Sequence, residues 1–358
     1  MSLNIANRLK KLRRSLAEKE IGGIFISQAE NRYYLSGFDG SAGYLLITPQ
    51  NAVLATDFRY LEQAKVQAPD YQVFRITNNT VDWFPRLLAE ADLGRLGFEA
   101  KDITFAFYRQ LSDILDKAGS RHQLVPVDGL VESLRAIKEP DEIELITRAA
   151  EITDSALAYI EDTIHIGMTE KEVAWEIEKF LREHGSQSLP FDVIVASGTN
   201  SALPHAKPSQ RQINAAEAVV IDIGARVGGY GSDLTRTICL GTPDDTFKKI
   251  YDTVLEAQLT ALALIKAGIS GEEADSLARA VIEKAGYGQA FGHALGHGVG
   301  LVTHEQPHLG PTSTELLVSG MVFTVEPGIY LPGWGGVRIE DLVVMENGKI
   351  RVVSKARK

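Results

Sequence analysis

The sequence has 358 residues, 44% hydrophobic and 23% charged, with 37 basic and 47 acidic side chains and a formal net charge of −10. This is the composition of an ordinary globular chain of about two domains, with ample material for a core. The acidic balance argues against a nucleic-acid partner, because phosphate binding needs a basic face.

Cys239 is the only cysteine, which excludes an internal disulfide and fits a reducing compartment. The N-terminal stretch MSLNIANRLKKLRRSLAEKE is basic but lacks the apolar run of a secretory signal. Its Ile5, Leu9, Leu12 and Leu16 fall at helical spacing and predict an amphipathic surface helix. No stretch is long and apolar enough to span a bilayer. The expectation is a cytoplasmic protein with no membrane partner.

Up to about Val131, strand-like runs (GGIFIS, AGYLLIT, AVLAT, YQVFRI, LGFEA) alternate with two helical patterns, VDWFPRLLAEA and FAFYRQLSDILDKAG. That mixture predicts a small α/β domain over residues 1–130. GFDGSAG (Gly37 to Gly43) lacks the Lys-Ser/Thr of a P-loop and a following helix, so it is not read as a phosphate site. SLRAIKEPDEIELI marks the junction, with Pro140 suited to the first turn of a helix.

Residues 131–358 carry an internal repeat. Ile143, Ile146, Ala150, Thr153, Leu157 and Ile160 form one helical stripe; Phe247, Ile250, Val254, Ala257, Ala261 and Leu264 repeat it at an offset of 104. Each helix runs to a glycine and a capping-box pattern, Thr169 with Glu172 and Ser270 with Glu273, and then to a second helix and strands. The expected fold class is α+β: a duplicated helix–helix–sheet unit with approximate two-fold symmetry, following the N-terminal α/β domain.

Each copy ends in a hairpin with two acids inside apolar runs: Asp222 and Asp233 in VVIDIGARVGGYGSDLT, Glu326 and Glu340 in MVFTVEPGIYLPGWGGVRIEDLVVM. Aspartate is depleted in strands and rarely buried without a partner. With the first turn centred between Val227 and Gly228, Asp222 faces Asp233; with the second centred on Gly333, Glu326 faces Glu340. Opposed residues lie ~4.5–5.5 Å apart at Cβ on one sheet face, and a two-residue slip would leave a pair diagonal but within reach. Four such carboxylates either share protons or hold cations. Their hard oxygens suit divalent metals, and two metals ~3.5–4 Å apart are a recurrent hydrolytic arrangement. The same copy supplies nitrogen donors: FGHALGHGVGLVTHEQPHLG holds His293, His297, His304 and His308, with His297 between two glycines that allow close backbone approach. His205 stands in the loop SALPHAKPS of the first copy.

Asp222, Asp233, His297 in GHGVGL, Glu326 in VEPG and Glu340 in RIED resemble the five metal ligands of the pita-bread metallopeptidases. The likeness covers about Val131 to Val353. The N-terminal domain resembles the creatinase-N-like domain of the proline-specific branch, aminopeptidase P and Xaa-Pro dipeptidase (prolidase). The resemblance implies a pita-bread catalytic domain and hydrolysis of the Xaa-Pro bond at the N-terminus of short peptides. It implies that Asp222 and Asp233 hold one metal, that Asp233 and Glu340 bridge to a second, and that His297 and Glu326 complete the second metal's ligand set. A bridging hydroxide would attack, and Glu326 would also relay the proton to the leaving amine. His205, His293 and His304 match histidines that stabilise the tetrahedral intermediate or shape the proline pocket, and Arg338 would orient acid ligands from behind. The resemblance also suggests a homodimer.

One position departs from the pattern. The prolidase branch often has arginine at the end of HExPR, where this chain has His308 in HEQPH. Histidine is the weaker carboxylate clamp, which leaves substrates longer than dipeptides open. An oxygen-rich donor set favours manganese, whereas the affinity order favours cobalt or zinc; the expectation is two manganese ions, with cobalt and zinc as alternatives. The competing readings are a non-catalytic binding module on the same fold, a metal-free hydrolase of the creatinase type, and a two-metal phosphoesterase. The first two predict lost ligands; the third predicts clustered Lys/Arg, of which only Arg338 qualifies.

Overall fold

The computed structural model describes residues 4–89 and 93–358, which fall into two compact units, Met1–Arg135 and Ala136–Lys358.

The N-terminal unit opens with α1 (Ile5–Glu18), which buries Leu9, Leu12 and Leu16 on one face, as the spacing predicts. Six strands follow: β1 (Gly23–Ile26), β2 (Tyr44–Ile47), β3 (Ala52–Thr56), β4 (Gln72–Arg75), β5 (Arg95–Glu99) and β6 (Gln123–Val127). They form one mixed sheet in the order β4-β3-β2-β1-β5-β6, with β1, β5 and β6 parallel. The helices are α2 (Ala29–Ser36), α3 (Leu61–Gln67), α4 (Thr80–Leu88) and α5 (Phe105–Lys117). Residues 90–91, the end of the first helical pattern, lie outside the described residues. Trp83, Phe84, Leu111 and Ile114 of α4 and α5 pack with Phe25, Leu46 and Leu96 of the sheet in one core. β6 is absent from the sequence reading because Pro126 interrupts its pattern; it lies at the sheet edge, where a missing N–H is tolerated.

The short helix α6 (Glu132–Ala136) leads into the second unit, where α7 (Pro140–Thr163) starts with Pro140 at its first turn and a capping box between Glu139 and Glu142. Both copies of the repeat are present. α7 and α8 (Glu170–Glu183) precede β7 (Ile194–Ser197), β8 (Ala218–Ile223), the short pair β9 (Arg226–Val227) and β10 (Tyr230–Gly231), and β11 (Leu234–Cys239). α9 (Asp245–Leu264) and α10 (Gly271–Lys284) precede β12 (Gly296–Gly298), β13 (Glu305–Leu309), β14 (Val322–Val325), β15 (Gly328–Leu331), β16 (Gly335–Arg338), β17 (Asp341–Glu346) and β18 (Lys349–Val352). α8 and α10 are 14 residues each, and the capping boxes Thr169/Glu172 and Ser270/Glu273 both form.

The helical stripes are buried at Ile146, Ala150, Thr153, Leu157 and Ile160 and at Phe247, Ile250, Val254, Ala257 and Ala261; Leu264, at the end of its helix, is exposed. Each copy keeps its own core, one around Leu157, Ile177, Val195 and Ile221, the other around Val254, Ala278, Phe323 and Val343. The sheet orders match as well: β11-β8-β7 in the first copy, and β17-β14-β12 in the second with β13 and β18 added at the edges. Among the described residues no helix is long and apolar enough to cross a membrane.

Candidate metal centre

The two hairpins bring the acids together, but the first does so in a register different from the expected one. β8 and β11 pair Asp222 with Thr235 and Ile223 with Leu234, so Asp222 and Asp233 are diagonal rather than opposed. The cause is the turn. Gly228 and Gly229 both have positive φ, 58° and 83°, and Val227 pairs with Tyr230 across them. A two-residue turn with both φ positive is the one that glycine pairs favour in hairpins; it moves the centre past the expected position. Asp233 lies just before β11, where the ladder is interrupted.

The second hairpin keeps the expected register. Val325 pairs with Asp341 on one side of a gap and Gly328 with Arg338 on the other, so Glu326 and Glu340 face each other within the gap. Thr235 ties the hairpins together. Its carbonyl accepts from the Glu340 N–H at 3.1 Å, and its hydroxyl donates to Glu340 Oε2 at 2.6 Å and accepts from Arg338 Nε at 3.0 Å.

His297 on β12 points into this group, with Nε2 3.2 Å from Glu326 Oε1 and 3.7 Å from Asp233 Oδ2. Donor atoms of Asp233, His297 and Glu340 all lie within 4.8 Å of one another. Nδ1 of His297 sits 3.2 Å from the Gly298 carbonyl. As a donor there, it leaves the Nε2 lone pair facing the carboxylates, the usual orientation of a metal-ligating imidazole.

The electrostatics call for a cation. Burial, reinforced by neighbouring carboxylates, pushes the pKa of Asp233 and of Glu340 well above the usual carboxylate range. Burial also raises Asp222, although Arg338 opposes the shift. Burial works against charge on Glu326 too, but the hydrogen bond and charge of His297 prevail and bring it down to about 2. His297 is correspondingly raised: burial opposes its charged form, and Glu326 outweighs burial. Asp222 Oδ2 is held by Arg338 Nη2 at 2.7 Å, while the buried Oδ1 has no hydrogen-bond partner. A buried carboxylate oxygen left unpaired is costly, and four carboxylates with one imidazole suit hard divalent cations.

Around this centre, Arg338 also donates through Nη1 to Tyr330 Oη at 2.9 Å and to the Pro204 carbonyl at 3.2 Å. His293 Nε2 is 3.0 Å from Tyr330 Oη and its Nδ1 is 2.8 Å from the Ala294 carbonyl. Burial lowers the pKa of His293, with Arg338 and His205 adding to the effect. With Nδ1–H given to Ala294, the consistent direction has Tyr330 donate to His293 and accept from Arg338. The His304 ring lies 4.2 Å from that of His297, and burial, His297 and His205 lower its pKa. His205 and His304 are exposed. His308 is exposed on β13, opposite His297 in the strand pairing, with its ring over Gly310.

Residues 144–347 match metallopeptidase family M24, and residues 8–137 match the creatinase/prolidase N-terminal domain. The chain belongs to metallopeptidase family M24. It is 38% identical to the Xaa-Pro dipeptidase of Pyrococcus horikoshii over 98% of this chain and 97% of that protein. Among solved structures, the Xaa-Pro dipeptidase of Bacillus anthracis superposes with a TM-score of 0.95 at 42% identity, covering 99% of both chains. The X-Pro aminopeptidase of Thermotoga maritima gives 0.87 at 36% identity, covering 95% of this chain and 98% of that one. The catalytic fold is therefore the M24 pita-bread fold behind a creatinase-type N-terminal domain.

Three partners of this M24 centre escaped the sequence reading: Tyr330, Thr235 and Thr324. Thr324 Oγ1 accepts from the His297 N–H at 3.0 Å and donates to Glu326 at 2.9 Å. Period-two spacing was the available signal, since Thr235 lies two residues after Asp233 and Thr324 two before Glu326. The glycines flanking His297 meet the expectation of close approach. A Cβ on Gly296 would stand 2.1 Å from the Thr324 carbonyl oxygen, and one on Gly298 2.1 Å from that of Gln306. Gly298→Ala should therefore force β12 and β13 apart. The expected cost is about 1–3 kcal/mol, read by thermal unfolding, with weaker metal binding by calorimetry; wild-type values for both would show that the strands yield freely.

Proposed function

We propose that this M24 peptidase hydrolyses the Xaa-Pro bond at the N-terminus of short peptides, using two divalent metal ions, manganese first among them. The observation that carries the reading is the convergence of four carboxylates, two buried and two nearly so, and His297, with Asp222 Oδ1 left unpaired, beside three further histidines. The names of the relatives supply the substrate class. Asp222 and Asp233 would hold one ion, Asp233 and Glu340 would bridge, and His297 and Glu326 would complete the second site. When bound, the ions supply Lewis-acid polarisation and a more acidic water.

The chain's own groups would do the rest. Glu326, kept ionised by His297, would take a proton at a carboxylate oxygen and pass it to the proline nitrogen as the bond breaks. His205 and His304, both exposed imidazoles, would donate to the scissile carbonyl oxygen as it gains charge. Arg338 would fix Asp222 and, through Tyr330, the ring of His293. Arg338 is buried and four of its five N–H donors are already spent on Asp222, Tyr330, Pro204 and Thr235, which weighs against a phosphate site there. His308 in place of the arginine clamp leaves tripeptides and longer chains admissible.

The test compares purified, chelated and manganese-reloaded protein on Ala-Pro, Ala-Pro-Ala, longer Ala-Pro peptides and Ala-Ala. Alanine should be released from the proline peptides alone, lost on chelation and restored by manganese. Activity surviving exhaustive chelation would refute the metal mechanism, and no Xaa-Pro cleavage by loaded protein would refute the substrate class.

A further inference from the structure

The mechanism leaves unused a carboxylate that is as deeply buried as any in the metal centre. Glu170, the first residue of α8, has no exposed surface. Its Oε1 accepts from the Ser197 N–H at 2.7 Å, the Ser197 hydroxyl at 2.9 Å and Asn200 Nδ2 at 3.1 Å. Its Oε2 accepts from the Ser209 N–H at 3.0 Å, the Ser209 hydroxyl at 2.6 Å and the same Asn200 Nδ2 at 3.1 Å.

These donors stand at the two feet of one loop. Ser197 ends β7, Ser209 lies on the returning limb, and His205 is between them. The top of the loop touches the centre through the Pro204 carbonyl, which accepts from Arg338, and through Ser201, whose hydroxyl accepts from the Gly336 N–H at 2.8 Å. The returning limb is also docked on the α8 N-terminus by backbone bonds, Glu170 N–H to Arg211 and Lys171 N–H to Ser209. The outgoing limb after β7 reaches that helix end through the Glu170 side chain.

The repeat shows that a carboxylate is not required at this place for the fold. In the second copy the first residue of α10 is Gly271, where a Cβ would stand 2.1 Å from the His308 carbonyl oxygen. There the histidine-bearing strand packs directly on the helix end; in the first copy a carboxylate bridges the corresponding space.

We propose that Glu170 is a positioning residue that clamps the 197–209 loop and thereby sets His205 against the scissile carbonyl. The role rests on the peptidase reading above. Glutamine cannot replace it: turned either way, its amide NH2 would face a backbone N–H, of Ser197 or of Ser209, donor against donor. Charge-assisted bonds to a helix N-terminal carboxylate would be lost as well.

The experiment has two arms. In the metal-free protein, hydrogen exchange of the 198–208 amides should quicken in Glu170→Gln while the β8 and β14 amides stay protected. In the manganese-loaded protein, Glu170→Gln should lower kcat/KM on Ala-Pro peptides about 10- to 100-fold, the scale of a small misplacement of a reacting group. In a His205→Ala background the same change should cost less than about threefold, because the group being positioned is gone. Unchanged exchange overturns the clamp whether or not the protein cleaves peptides. Faster exchange with an equal kinetic loss in both backgrounds overturns the positioning role. Inactive wild type sinks the peptidase reading, and the exchange arm still decides the clamp. If Glu170→Gln fails to fold, Ser209→Ala, which removes the 2.6 Å hydroxyl, must give the same signs at smaller size.

Discussion

Glu340→Gln is expected to stabilise the metal-free protein while abolishing hydrolysis by the metal-loaded one. Glu340 is 1% exposed and shares its site with Asp222, Asp233 and Glu326. Without a cation, folding must either keep a proton on this carboxyl or bear the repulsion of its neighbours, and both oppose the native state at neutral pH. An amide of the same shape removes that cost and can still accept from Thr235. The metal-free variant should therefore unfold later, by roughly 2–4 °C per kcal/mol recovered for a unit of this size. The loaded protein should lose far more activity than the ~10- to 100-fold that altered outer partners of a metal produce, since a proposed ligand itself is gone. Wild-type protein should be stabilised by added manganese, by mass action on the native state, and the variant much less. Calorimetry with and without manganese reads both effects. A metal-free variant that unfolds earlier, together with retained turnover, would mean that Glu340 faces no such cluster.

The cluster was legible because apolar runs make a misplaced acid conspicuous. Asp222 in VVIDIG and Glu340 in VRIEDLVV contradict their surroundings, and the repeat places two such hairpins in one unit. Register was legible only where turn geometry was unambiguous. Gly333, with φ of 83°, lies midway between the paired Leu331 and Gly335, as a single glycine in a Pro/Gly turn suggests. The Gly228–Gly229 pair offered two centres, and only the requirement for positive φ at both selects the observed one.

Glu170 was invisible for another reason. An acid at the first position of a helix is expected from the dipole alone, so nothing in TEKE separates a solvated residue from a buried clamp. Tyr330 likewise reads as an ordinary strand aromatic. Its role depends on Arg338 arriving from β16 and His293 from the loop before β12, which is tertiary information. The β-rich N-terminal sheet was read nearly strand by strand, since Gly, Pro and Asn mark its turns; its edge strand β6 was lost to Pro126.

Arg338→Met should be the most destabilising single change near the centre, and its cost should depend on metal. Arg338 is 3% exposed and donates to Asp222, Tyr330, Thr235 and the Pro204 carbonyl. Its loss leaves Asp222 with Oδ2 as bare as Oδ1, and breaking a buried pair by removing one partner costs about 3–5 kcal/mol. That is a large part of the 5–15 kcal/mol that typically holds a protein folded. Bound manganese would supply positive charge to the same carboxylate, so the penalty should shrink when the protein is loaded. Arg338→Lys separates charge from geometry. A single ammonium can stay near Asp222 but cannot reach four acceptors in different directions as a planar fork does. Lysine should therefore recover much of the stability and little of the turnover, because Tyr330, and through it His293, loses its donor. Equal recovery of both by lysine would show that charge alone is what the site needs from Arg338; no recovery of stability would show that the fork, rather than the ion pair, holds the two hairpins together.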